Sequence, residues 1–199
     1  PRKAITTAEG GMLLTKNASW AKHARMLRSH GADSTVASRH LSTKVMHESY
    51  PIIGYNYRMS DIHAALGIAQ FKKLAVILRG RARVAATYNR AFAKHSKIIT
   101  PFVPEGMKHT WQSYQIRLVG LTRERERIMQ NMLDAGIATR TGVMASHMEK
   151  PYRKMYPKLK LPQTEKAAAE TIILPLYPQM TKTEQEYVID HLLTSLRSL

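Results

Sequence analysis

Gly11-Met12-Leu13-Leu14-Thr15 reads as an apolar strand, and it stands near the head of the chain with nothing before it to pair with. A lone strand is not stable by itself, because its backbone N–H and C=O groups need a neighbour. Either strands much later in the chain must close on it, or its natural partners lie outside these 199 residues. The chain opens Pro1-Arg2-Lys3, with no initiator Met and no apolar segment of the targeting kind. The expectation is a chain that starts in the middle of a larger fold.

The rest of the chain is easier to place. Asn17 can cap a helix over residues 18–29, with Trp20, Ala21, Ala24 and Leu27 on one stripe and Gly31 at its end. Residues 32–59 read as a long polar loop, a length that usually signals function or disorder. Ser60 and Asp61 start the longest helical pattern, towards His95, and Gly80 inside it predicts a kink or a domain crossover. From about residue 91 short strands and helices alternate. Strands are expected at Ile98-Ile99, over Ser113 to Val119 with Tyr114, Ile116 and Leu118 on one face, and at Ile137-Ala138-Thr139, and an apolar segment runs from Ile172 to Leu176. Helices are expected over 123–135, from Thr164, and from the capping box Thr181-Lys182-Thr183-Glu184. The chain therefore divides into residues 1–90 and a small α+β domain, residues 91–199.

Charge and composition exclude several classes. No run approaches the ~18 apolar residues of a bilayer span, so no membrane partner is expected. The absence of cysteine rules out disulfide scaffolds, thiolate zinc sites and cysteine nucleophiles, and no metal is expected. The 31 Lys and Arg against 14 Asp and Glu give a net charge of +17, which favours phosphate-bearing partners. That charge is diffuse, over Arg79, Arg81 and Arg83, the alternating Arg123 to Arg127, and Arg153, Lys154, Lys158 and Lys160. Aromatic residues are not interleaved with it as stacking platforms, and no zinc-finger, RNP or basic-zipper signature is present. A basic nucleic-acid-binding module is thus the weaker alternative, marked by affinity that falls steeply with salt.

Three constellations carry chemistry. Lys3-Ala4-Ile5-Thr6-Thr7-Ala8-Glu9-Gly10-Gly11 sets a lysine before a glycine turn; Gly54-Tyr55-Asn56-Tyr57-Arg58-Met59-Ser60-Asp61 ends the long loop; His147 lies in Ala145-Ser146-His147-Met148-Glu149-Lys150-Pro151-Tyr152. Singly, each has an ordinary reading as a surface lysine, a capped helix start or a structural histidine. Together and in order, with Gly136-Ile137-Ala138-Thr139 and the closing Leu174-Pro175-Leu176-Tyr177-Pro178, they resemble the DegT/DnrJ/StrS-type sugar aminotransferases, from the active lysine onward.

The resemblance implies an α/β fold: the C-terminal part of a fold-type-I aminotransferase, with a remnant of the large parallel-sheet domain and a small α+β domain. It implies pyridoxal 5'-phosphate (PLP) as cofactor. Lys3 would form the Schiff base and shuttle a proton, as suits an amine that condenses with an aldehyde once deprotonated. Asn56 would reach the cofactor phosphate of a neighbouring subunit, in a homodimer with shared sites. His147 would bind substrate. The expected reaction moves an amino group, from glutamate, to a nucleotide-linked keto sugar for polysaccharide or other amino-sugar synthesis in the cytoplasm. The family's Ser-Phe before the lysine, its pyridinium-pairing aspartate, its ring-stacking residue and its main phosphate loop all precede the lysine. The aspartates present, Asp33, Asp61, Asp134 and Asp190, fall elsewhere. A truncated chain, inactive alone, or a non-enzymatic relic is therefore expected beside the enzymatic reading.

Overall fold

The computed structural model describes residues 3–33, 42, 43 and 47–199. Contacts group them into two compact units: residues 1–4 with Lys73–Leu199, and Ile5–Lys72. Parts of the loop expected over 32–59, and the first two residues, lie outside the described residues.

The unit Ile5–Lys72 holds α1 (Ala18–Leu27) and α2 (Asp61–Lys72). Asn17 caps α1 as expected, its side chain accepting from the Trp20 N–H at 3.1 Å. Gly31 takes φ +84° just beyond the helix. Ser60 starts α2, its hydroxyl accepting from the His63 N–H and its carbonyl from the Ala64 N–H. The strand expected at Gly11–Thr15 does not form among the described residues: the segment has no ladder partner, and Met12 and Leu14 are 82% and 86% exposed. The stripe expected to bury α1 is also open, with Trp20 68% exposed. Of the described residues in this unit, only Gly31 is buried.

The C-terminal unit has a core. It begins with α3 (Leu74–Phe92), which buries Val84, Ala85, Tyr88 and Phe92 along one face. The long helical pattern breaks at Lys73, and Gly80 lies inside α3, where a Cβ would come within 2.6 Å of the Pro178 carbonyl oxygen. Glycine is there to admit the chain segment after Leu176 against the helix, and Arg83 secures it by donating to the carbonyls of Pro178 and Met180.

Four short strands follow: β1 (Ile98–Ile99), β2 (Tyr114–Leu118), β3 (Arg140–Thr141) and β4 (Thr171–Leu174). They form one antiparallel sheet in the order β1-β2-β4-β3, with Tyr114 opposite Leu174 and Ile116 opposite Ile172. β2 alternates as its sequence requires: Tyr114, Ile116 and Leu118 are fully buried. β3 falls just beyond the strand expected at Ile137–Thr139, because Ile137 continues the turn that ends α4 (Arg125–Asp134). In that turn Gly136 takes φ +73° and the Ile137 N–H donates to the Met132 carbonyl, the hydrogen-bond pattern of a glycine-ended helix. α5 (Lys150–Met155), α6 (Pro162–Glu170) and α7 (Lys182–Arg197) complete the unit. Thr181 and Glu184 make the reciprocal capping box expected at α7. Ile128 and Met132 of α4 join Val188, Ile189, Leu192 and Leu196 of α7 in the core, and Gln185 donates to the Val84 carbonyl of α3 at 2.6 Å.

Polar groups inside this core are placed with care. Tyr88 donates to the Pro175 carbonyl at 2.9 Å and Tyr114 to Asn89 Oδ1 at 2.6 Å, and burial pushes both phenols up from their ordinary value. Arg81 donates through one nitrogen to the carbonyls of Trp111 and Gln112, and Trp111 is held at φ +49°. Among the described residues, no helix is long and apolar enough to cross a membrane.

Candidate active site

The motif Gly54–Asp61 is held by backbone contact with the end of α1. Tyr55 N–H donates to the Leu27 carbonyl, His30 N–H to the Tyr55 carbonyl, and Tyr57 N–H to the Arg28 carbonyl, and Ser29 faces Asn56 in an antiparallel bridge. Two glycines make this approach possible. A Cβ on Gly54 would stand 2.0 Å from the Gly31 nitrogen, and one on Gly31 would stand 1.7 Å from the Ile52 carbonyl oxygen. Tyr55 and Tyr57 stack in parallel with centroids 5.0 Å apart.

The backbone so fixed presents a nitrogen-rich cluster. Arg58 Nε donates to Asn56 Oδ1 at 3.2 Å, and a second guanidinium nitrogen lies 3.3 Å from His30 Nε2. A guanidinium has no acceptor, so His30 Nε2 accepts, and Asn56, with its oxygen committed, is left with its amide NH₂ to donate. No carboxylate bonds to Arg58 among the described residues. Such a donor set suits a phosphate. Arg58 belongs to a motif quoted from the sequence, but its role in orienting Asn56 emerges only from this geometry.

Within the unit Ile5–Lys72, Gly10 takes φ +145° and packs on Thr7, while Thr7 also lies where a Cβ of Gly67 would be, at 2.9 Å. Thr7, Gly10 and Gly67 therefore pack closely within the unit Ile5–Lys72. Lys3 is exposed and makes no hydrogen bond or ion pair among the described residues.

His147 lies in the C-terminal unit, in the short 3₁₀ turn Ser146–Met148, its side chain 8% exposed. Its Nε2 is 3.0 Å from Glu165 Oε1, and the same oxygen accepts from the Leu161 N–H at 2.9 Å. The His147 bond, then the Leu161 N–H, hold the Glu165 carboxyl below its ordinary value of 4.5. A carboxyl with a lowered folded value lends stability above its unfolded value and loses it as pH falls through the folded one. Protection of the Leu161 amide from hydrogen exchange is therefore expected to persist at pH 4.5 and to fall only on further acidification. Loss of protection already at neutral pH would contradict the contact.

Lys150, Arg153, Lys154, Lys158 and Lys160 are all exposed on α5 and the turns around it, between His147 and Glu165. Of the three residues expected in the site, Lys3 and His147 belong to the C-terminal unit and Asn56 to the other. Glu165 was not legible in the sequence as a site residue, since a contact spanning 18 positions leaves no local pattern.

Comparison with known proteins agrees with these motifs. A family model described as the DegT/DnrJ/EryC1/StrS aminotransferase family matches residues 1–193. Uncharacterized protein MJ1066 of Methanocaldococcus jannaschii is 33% identical over 184 residues, covering 90% of this chain and 47% of that protein. The chain thus spans about half the length of the curated relative it matches. Among solved structures, the fold matches Helicobacter pylori PseC, an aminotransferase involved in the biosynthesis of pseudoaminic acid, with a TM-score of 0.85 at 23% identity over 98% of this chain and 51% of that one. It also matches NtdA of Bacillus subtilis, solved with bound cofactor PMP, with a TM-score of 0.75 at 28% identity over 92% of this chain and 41% of that one. The chain belongs to the DegT/DnrJ/EryC1/StrS aminotransferase family.

Proposed function

We propose that this chain forms the lysine-bearing half of a PLP-dependent aminotransferase that acts on a keto sugar carried by a nucleoside diphosphate. Glutamate is the amino donor in this reading, and the product supplies polysaccharide or other amino-sugar synthesis in the cytoplasm. The observation that carries it is the Asn56–Arg58 pair, which leaves the Asn56 amide NH₂ to donate to a phosphate, in a chain that the family model matches over residues 1–193.

Each residue has a task suited to its surroundings. Lys3, without an ion pair among the described residues, would hold the cofactor through its amine and, once released from it, would move a proton at its Nζ. Asn56, its oxygen taken by Arg58, turns its NH₂ towards a phosphate, and Arg58 supplies the positive charge behind it. The cofactor, when bound, supplies an electron sink that lets a proton leave the carbon beside the amine. His147 meets the substrate's diphosphate, and the exposed cations between Lys150 and Lys160 attract it. The open apolar side chains Met12, Leu14, Trp20 and Ile62 support assembly with further polypeptide, in this reading a homodimer whose sites are shared.

Borohydride reduction of the PLP-loaded enzyme, followed by peptide mapping, tests this directly. The pyridoxyl group is expected on Lys3. Its appearance on another lysine would overturn the assignment of Lys3, and no incorporation at all would overturn the cofactor.

A further inference from the structure

Glu165 has two bonds that together close a loop. It sits in the first turn of α6, one residue past the turn's Pro162-Gln163-Thr164, and its Oε1 takes both the ring of His147 and the Leu161 N–H. The segment between these two contacts carries the five exposed cations described above. His147 Nδ1 makes no hydrogen bond among the described residues, and it is not one of the sealed side-chain atoms without a partner, which are Arg81 Nε and Arg125 Nε. One ring nitrogen is thus committed to a carboxylate, and the other has no hydrogen bond among the described residues.

We propose that Glu165 is a positioning residue for nucleotide-diphosphate binding, acting through His147: it takes Nε2, fixes the ring plane, and leaves Nδ1 as the nitrogen offered to the ligand. The inference rests on the reading of His147 as a substrate-binding residue. A diphosphate oxygen only accepts, so Nδ1 must meet it as a donor, with Nε2 donating to Glu165 at the same time. Fixing the ring beforehand removes rotamer freedom that binding would otherwise have to remove. The same carboxylate holds the neck of the cationic segment, so the ring and the cations are presented from one anchored loop.

The test is binding to the PLP-loaded enzyme, by calorimetry, of whichever of UDP, dTDP, GDP and CDP the unaltered protein binds most tightly. His147→Ala and Glu165→Ala are each expected to raise Kd by about tenfold, the scale of one hydrogen bond to a charged group. Glu165→Gln, which keeps an acceptor oxygen, is expected to recover part of the loss. The double substitution is expected to bind no worse than His147→Ala alone, because Glu165 acts through that ring. Nitrogen NMR of His147 supplies a readout independent of turnover: Glu165→Ala should shift the Nε2 signal, while the cofactor absorbance stays unchanged.

The outcomes separate cleanly. If His147→Ala weakens binding but Glu165→Ala changes Kd by less than about twofold, or the two losses add in full, the positioning role falls and the reading of His147 stands. If His147→Ala leaves Kd unchanged, or no nucleotide binds the unaltered protein, the substrate reading falls and takes this inference with it.

Discussion

Lys3→Ala is expected to bring amino transfer to background. Removing a positioned proton carrier alone costs about 10²–10⁴-fold in rate, and the covalent hold on the cofactor is lost with the same amine. Lys3→Arg is expected to fail as completely, since a guanidinium stays protonated and cannot condense with an aldehyde. The residue is exposed and unpaired among the described residues, so neither change breaks an ion pair. Thermal stability should therefore be retained, which separates lost chemistry from lost fold. Single-turnover kinetics with the cofactor loaded reads the effect. Retention of more than about a tenth of the rate by Lys3→Ala would move the proton-transfer role to another group.

Gly54→Ala is the second large effect, and it acts on structure. The added methyl carbon would lie 2.0 Å from the Gly31 nitrogen and 2.5 Å from the His30 carbonyl carbon, which are backbone atoms that cannot swing aside. Relief requires the segment Gly54–Tyr57 to leave the end of α1, with loss of the Tyr55 and Tyr57 bonds to the Leu27 and Arg28 carbonyls. We expect a local cost of about 3 kcal/mol or more, within the range of severe backbone conflicts. Asn56 lies in that segment and Arg58 directly after it, so in the proposed reading cofactor affinity should fall with it. Hydrogen exchange at the Tyr55 and Tyr57 amides measures the opening, with the amides of α7 as internal reference. Unchanged protection at both tyrosines would refute the close approach of Gly31 and Gly54.

How far the sequence could be read depended on the range over which each signal acts. Helix α7 was legible to its first residue because Thr181 and Glu184 cap it within one turn. The inward face of β2 followed from simple alternation. The break at Lys73 was not legible, because apolar residues continue on both sides and Gly80, the obvious breaker, is used for a contact with Pro178, 98 positions away in the numbering. Gly11–Thr15 has the composition of a strand, but composition cannot supply a partner. Among the candidate residues, Lys3, Asn56 and His147 were reached through motifs, whereas the bonds of Arg58 to Asn56 and of Glu165 to His147 are ones that no spacing announces.

Of the described residues of the unit Ile5–Lys72 only Gly31 is buried, and this has a calorimetric consequence. The heat-capacity increment of unfolding grows with the apolar surface newly given to water. Side chains such as Met12, Leu14 and Ile62 already face water, so melting α1 and α2 adds little to that increment. The curvature of the stability curve of these 199 residues, and the steepness of their denaturant transition, are those of the sheet and the helices packed on it.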